Sequence, residues 1–151
     1  MTADERPSGR RVEPWGAWVA SRPACHLRAA VPVGALLDAF VAAARGRRMR
    51  VDVAGAQARA ARGARFGGAA AEILQLPVGH LWALLEVRVD EHALADEPHV
   101  RELRVVCAAG EREPGNATKV AKVLDDAVRR VEQAAGVRVQ VLPWASALDD
   151  S

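Results

Sequence analysis

Tyrosine is absent from the 151 residues, and two phenylalanines and four tryptophans make up the whole aromatic complement. A core built from this chain must therefore rest on Val, Leu and Ala packed at short distances between elements. The shortage also leaves few rings on which bases could stack, since Phe66 alone is interleaved with the arginines of its neighbourhood. Only two cysteines occur. Cys25 and Cys107 lie in strand-like apolar runs, which reads as reduced, buried thiols rather than a disulfide or a cysteine-rich zinc site. No serine sits in a nucleophile elbow. No apolar run approaches the roughly 20 residues that a membrane span needs. Residues 1–11 are not followed by the apolar segment of a secretory signal. A soluble, cytoplasmic protein is the expectation.

What is abundant is alanine and arginine. Arginine greatly outnumbers lysine and alanine crowds every segment, the bias of a GC-rich bacterial genome such as an actinobacterial one. That bias lowers the weight of any single arginine as a functional signal. The net charge of +2 is close to balance and does not call for a nucleic-acid partner. A chain of this length is expected to form one domain with a core of ordinary size.

The last third is the most ordered in pattern. Asn116 suits an N-cap, and Ala117, Val120, Leu124, Ala127, Val128, Val131 and Ala135 recur at three- and four-residue spacing. Charged residues, among them Arg129 and Glu132, fill the remaining faces. Gly136 suits the left-handed end of a helix, and Val137, Val139 and Val141 then alternate with polar residues, so a long one-sided helix runs into a strand.

Upstream, residues 25–31 read as a strand stopped by Pro32, and Leu36, Leu37, Phe40, Val41 and Ala44 as the stripe of a helix ending at Gly46. Met49, Val51 and Val53 alternate with charges in a second strand. Residues 55–71, rich in Ala, Arg and Gly, are expected to form a strand pair of ill-defined register. Further strands are read at 71–76, 80–90 and 103–109, with an acidic loop over 91–100. In the strand 80–90, Leu81, Ala83, Leu85, Val87 and Val89 share one face, and Trp82, Leu84, Glu86 and Arg88 the other. Strands joined by short turns imply antiparallel pairing. The expected architecture is a two-layer α+β sandwich, with about five to six largely antiparallel strands and two helices on one face. Residues 1–14 are expected to be a flexible tail, 15–144 the domain and 145–151 an acidic tail.

Arg45, Arg47, Arg48, Arg50, Arg59, Arg62 and Arg65 form the clearest charge feature, opposed within their window only by Asp52. It reads as a partner-facing or anion-binding basic surface, with Asp90, Glu91, Asp96, Glu97 and Glu102 as its electrostatic complement. Arg45, Arg47, Arg48, Arg50, Trp82 and Leu84 are the candidate partner- or anion-binding residues. Gly110 and Gly115 have the glycine spacing of a phosphate-binding loop, but Asn116 stands where the lysine would be, so a turn and helix cap are expected. His92 and His99 read as exposed loop residues, and Cys25 and His26, as strand neighbours, should point to opposite faces. Trp15, Trp18 and Trp144 are expected to dock near the chain ends. No catalytic residue, metal ligand or cofactor is implied.

Residues 103–142 (strand, Gly-rich turn, helix carrying Ala127-Val128-Arg129-Arg130-Val131-Glu132, glycine, alternating valines) resemble the alkaline-shock envelope-stress family. That resemblance spans under a third of the chain and implies a small, non-enzymatic assembly protein. The strand–proline–helix start and the late long helix are similar to the helix-grip lipid-binding fold, which lines its cavity with aromatics that are scarce here. The expected function is a non-catalytic interaction or assembly module, a homodimer or other homo-oligomer. Alternatives are a small-molecule carrier or simple enzyme with an apolar pocket between sheet and helices, and nucleic-acid binding through the arginines of 45–65.

Overall fold

Among the described residues, proline, glycine and alternating apolar residues mark out nine elements. The structure, a computed structural model, describes residues 10–16, 22–63, 84–113 and 115–147. Pro23 opens β1 (Pro23–Ala29), and the turn through Pro32 and Gly34 leads into α1 (Ala35–Gly46). A hairpin follows, β2 (Arg50–Ala54) and β3 (Gln57–Arg62), turning at Gly55 and Ala56 with Gly55 at φ 60°. Then come β4 (Leu85–Ala93), β5 (Arg101–Ala109), α2 (Asn116–Ala135) and two short strands, β6 (Gln140–Val141) and β7 (Ala145–Ser146).

All pairings are antiparallel, in the order β2-β3-β4-β5-β1-β6, with β7 also on β1. β1, the first strand in sequence, therefore lies inside the sheet. Leu27, Val105, Val87 and Ala60, from four adjacent strands, point to one face, where Leu36, Phe40, Leu124 and Val128 of the helices meet them in one buried cluster. The architecture is the expected two-layer α+β sandwich.

Several local expectations need correction. Asn116 does not cap α2: Gly115, at φ 85°, occupies that position, and the Asn116 side chain instead donates from Nδ2 to the Gly110 carbonyl at 2.9 Å. Ala135 is exposed, while Asp125, expected on the polar face, is buried and accepts the Arg11 backbone N–H. Glu132 also lies off the open surface, receiving Arg11 and the Val139 N–H. The strand after α2 shrinks to Gln140–Val141, because the chain only touches the edge of β1 there. Strand β4 runs on to Ala93, so Glu91 and His92 belong to a strand and not to the acidic loop.

Of the strand pair expected in 55–71, the described part is β3, paired in defined register with β2 through a turn at Gly55 and Ala56; residues 64–71 lie outside the described residues. The strand expected at 71–76 lies outside the described residues. Of the two expected tails, the described part of the first packs closely: Val12 is buried, and Trp15 stacks edge-on against Trp144 with centroids 5.1 Å apart. Trp15 Nε1 donates to the Glu111 carbonyl and Trp144 Nε1 to the Glu13 carbonyl, so both indoles dock as expected.

Candidate functional site

The two faces of the sheet differ in kind. Alternation sends Leu85, Val87, Val89 and Glu91 of β4 toward the helices, and Glu86, Arg88, Asp90 and His92 to the helix-free side. On that side polar residues form a cross-strand ladder. Arg28 of β1 bonds Glu102 of β5, and His92 Nε2 of β4 lies 2.9 Å from the other Glu102 oxygen. Asp90 approaches the far nitrogen of the same ring at 3.9 Å. Burial raises the Glu102 pKa, but the Arg28 hydrogen bond, the charges of His26 and Arg28 and the bond to His92 outweigh it, so its carboxyl titrates below the usual range.

Beside this ladder lies a groove of about 670 Å³ with Arg22, Arg59, Arg88 and Arg104 on its walls. Val106 and Ala108 lie on its floor, and Asp52 and Asp90 are the acids that line it. A register shift between Glu86 and Val87 leaves Ala108 as the extra residue of β5 here. Glu86 holds two of the arginines, Arg88 at 3.0 Å and Arg59 at 3.5 Å. Arg22 and Arg104 make no ion pair among the described residues, although Asp90 is the cross-strand neighbour of Arg104. The arrangement offers a guanidinium without an ion pair among the described residues beside apolar surface, which suits an anionic group with an apolar neighbour.

The arginine run is divided by the fold. Arg45, Arg47 and Arg48 end α1, exposed, and Arg47 is held by Asp126 at 2.7 Å. Arg50 begins β2 and donates to the Gly63 carbonyl, whereas Arg59 lies in the groove. Two of the five acids are spent inside the fold, where Glu91 caps α1 and Glu102 bonds Arg28, while Asp96 and Glu97 stay exposed. Leu84 is half-buried just before β4; Trp82 and Arg65 lie outside the described residues. Cys25 is buried on the helix side with His26 on the other, as expected, and burial pushes both thiols up to about 12. His92 is not a loop residue but a partner of Glu102; His99 stays exposed in the β4–β5 turn.

Arg88 and Arg104 were each legible as strand residues, but only the β4–β5 register puts them on one face. Arg22, ahead of β1 at φ 45°, carries no sequence signal. Compared with known proteins, the chain matches no family model and no curated sequence.

Proposed function

We propose that the protein is an interaction module of a bacterial, actinobacterial-type cytoplasm, and that it binds an anionic group on the helix-free face of its sheet. The observation that carries the reading is Arg104, half-buried and without an ion pair among the described residues, beside the floor of Val106 and Ala108. A carboxylate or phosphate monoester with a short apolar tail fits that chemistry. Both thiols are buried, unionised at neutral pH and thus unsuited as nucleophiles, which favours binding over catalysis. They also suit a reducing compartment.

The helix–sheet space is filled by the buried cluster, so a carrier reading gains nothing there. The scattering of Arg45, Arg47, Arg48, Arg50 and Arg59 weighs against nucleic acid. Calorimetry with octanoate, octyl phosphate and octanol tests the reading. The two anions should bind, with affinity lost in Arg104→Ala, and octanol should not. Equal binding of octanol, or anion binding unchanged in Arg104→Ala together with Arg88→Ala, refutes it.

Self-association is a second reading, favoured by the outer edge of β2, along which no strand pairs among the described residues.

A further inference from the structure

We infer that two copies of the chain join through the outer edges of their β2 strands, in a single register centred on Val51. The inference rests on the self-association reading above, and it shares Asp52 with the lining of the groove.

Parity fixes which groups of β2 face outward. The Glu91 N–H donates to the Ala56 carbonyl at 2.9 Å, so the main chain of Ala56 faces β4. Successive residues of a strand turn their polar groups to opposite sides, hence Gln57, Arg59 and Ala61 address β2. Their partners Ala54, Asp52 and Arg50 are the hydrogen-bonded residues of the hairpin. Val51 and Val53 consequently turn N–H and C=O away from β3, toward the open edge. The edge carries no proline and no bulge, devices that usually protect such an edge. Val53 is 49% exposed, one of two large apolar side chains left so open among the described residues.

An antiparallel pair of identical strands must place its twofold axis on a residue, because an axis between residues would set an outward-facing residue against an inward-facing one. With the axis at Val51, that residue exchanges its hydrogen bonds with its own mate, Arg50 faces Asp52 of the other copy, and Asp52 faces Arg50. These are non-hydrogen-bonded positions, where side chains come closest. With the axis at Val53, Asp52 would face Ala54 and no charge pair would form. An axis at Asp52 would set two carboxylates together at a close non-hydrogen-bonded position, and one at Arg50 would do the same with two guanidinium groups. Both charges are available: Arg50 makes no ion pair among the described residues, and Asp52 is 85% exposed with Arg59 only at 3.9 Å. The axis stands perpendicular to the sheet, so both helix layers lie on one side and both grooves open on the other.

Sedimentation velocity over a concentration series, with the full chain, tests this. Wild type should dimerise reversibly. Arg50→Asp and Asp52→Arg each set like charges in two places and should each weaken association about tenfold or more. The double exchange, Arg50→Asp with Asp52→Arg, restores opposite charges and should return the affinity to within about threefold of wild type. Amide exchange at Val51 should slow as concentration rises. A monomer at all concentrations overturns both the inference and the self-association reading. A dimer that ignores both single reversals, or singles that the double exchange does not rescue, overturns the β2 edge alone. Thermal melts of the variants identify any loss that comes from misfolding.

Discussion

Glu91 reaches from the sheet to the start of the first helix, and removing it should be among the costliest single changes to a charged residue in the fold. Gly34 at the cap of α1 offers no side chain, so the first turn leaves its N–H groups without a local partner. Glu91 supplies the missing acceptor from β4. It takes the N–H groups of Gly34 at 2.6 Å and of Leu36 and Leu37 at 3.0 Å, and Arg101 pairs with it at 3.0 Å. Its side chain is 1% exposed. Each hydrogen bond to a charged group contributes about 1.5–3 kcal/mol, though such contributions do not add. Stripping one partner from a buried ion pair costs about 3–5 kcal/mol. Glu91→Ala should therefore lose about 3–5 kcal/mol, which for a chain of this size lowers Tm by about 6–20 °C. Glu91→Gln keeps the shape but leaves Arg101 facing a neutral group, and should fall between Ala and wild type. Glu97→Ala, at an exposed acid of the loop that follows β4, should stay within about 0.5 kcal/mol. Urea denaturation of the three variants measures the differences. If Glu91→Ala is indistinguishable from Glu97→Ala, the carboxylate does not anchor the helix and the reasoning fails.

Leu124→Ala, at a fully buried site, should cost about 2–5 kcal/mol, while exposed Arg130→Ala on the same helix stays within about 0.5 kcal/mol by thermal melts. Gly110→Ala would set a methyl 1.9 Å from the Leu84 carbonyl, at φ 86°; Gly115→Ala has the same backbone strain, about 1–2 kcal/mol, but open space. The first should be far more destabilising than the second in the same denaturation assay. In Glu132, burial raises the pKa but the Arg11 and Val139 hydrogen bonds and the Arg11 and Arg138 charges outweigh it, so Glu132, like Glu102, is lowered from 4.5. Both therefore add stability that is complete above that ordinary value and is lost as pH falls through their own lower values. Denaturation across pH should show a decline beginning below 4.5, shallower in Glu102→Gln and Glu132→Gln.

The layer order was legible because it follows from local pattern. The stripe of α1 at Leu36, Leu37, Phe40, Val41 and Ala44 is buried residue for residue, and Gly136 does end α2 at φ 65°. What local pattern cannot carry is who faces whom. Asp125 and Glu132 look like solvent-side charges until Arg11, more than a hundred positions away, is found against them. Glu91 reads as part of an acidic loop because nothing near it in sequence shows the bare helix start that it serves. The groove is a product of register: Arg88, Arg104 and Arg59 sit in three strands, and only their pairing brings them together. The cluster at 45–50 is conspicuous in one dimension and dispersed in three. A helix terminus and a strand edge send its members different ways.

The place of β1 bears on how the molecule comes into being on the ribosome. Its seven residues leave the exit tunnel before any strand they pair with, since its neighbours are β5 on one side and β6 and β7 on the other, all encoded far downstream. Until residue 101 has emerged, the apolar row of Cys25, Leu27 and Ala29 has no strand to lie beside. The nascent chain must hold that segment unpaired through most of its synthesis, while the β2–β3 hairpin can already close. Closure of long loops then limits the rate of folding. The same delay gives chaperones an apolar target in β1.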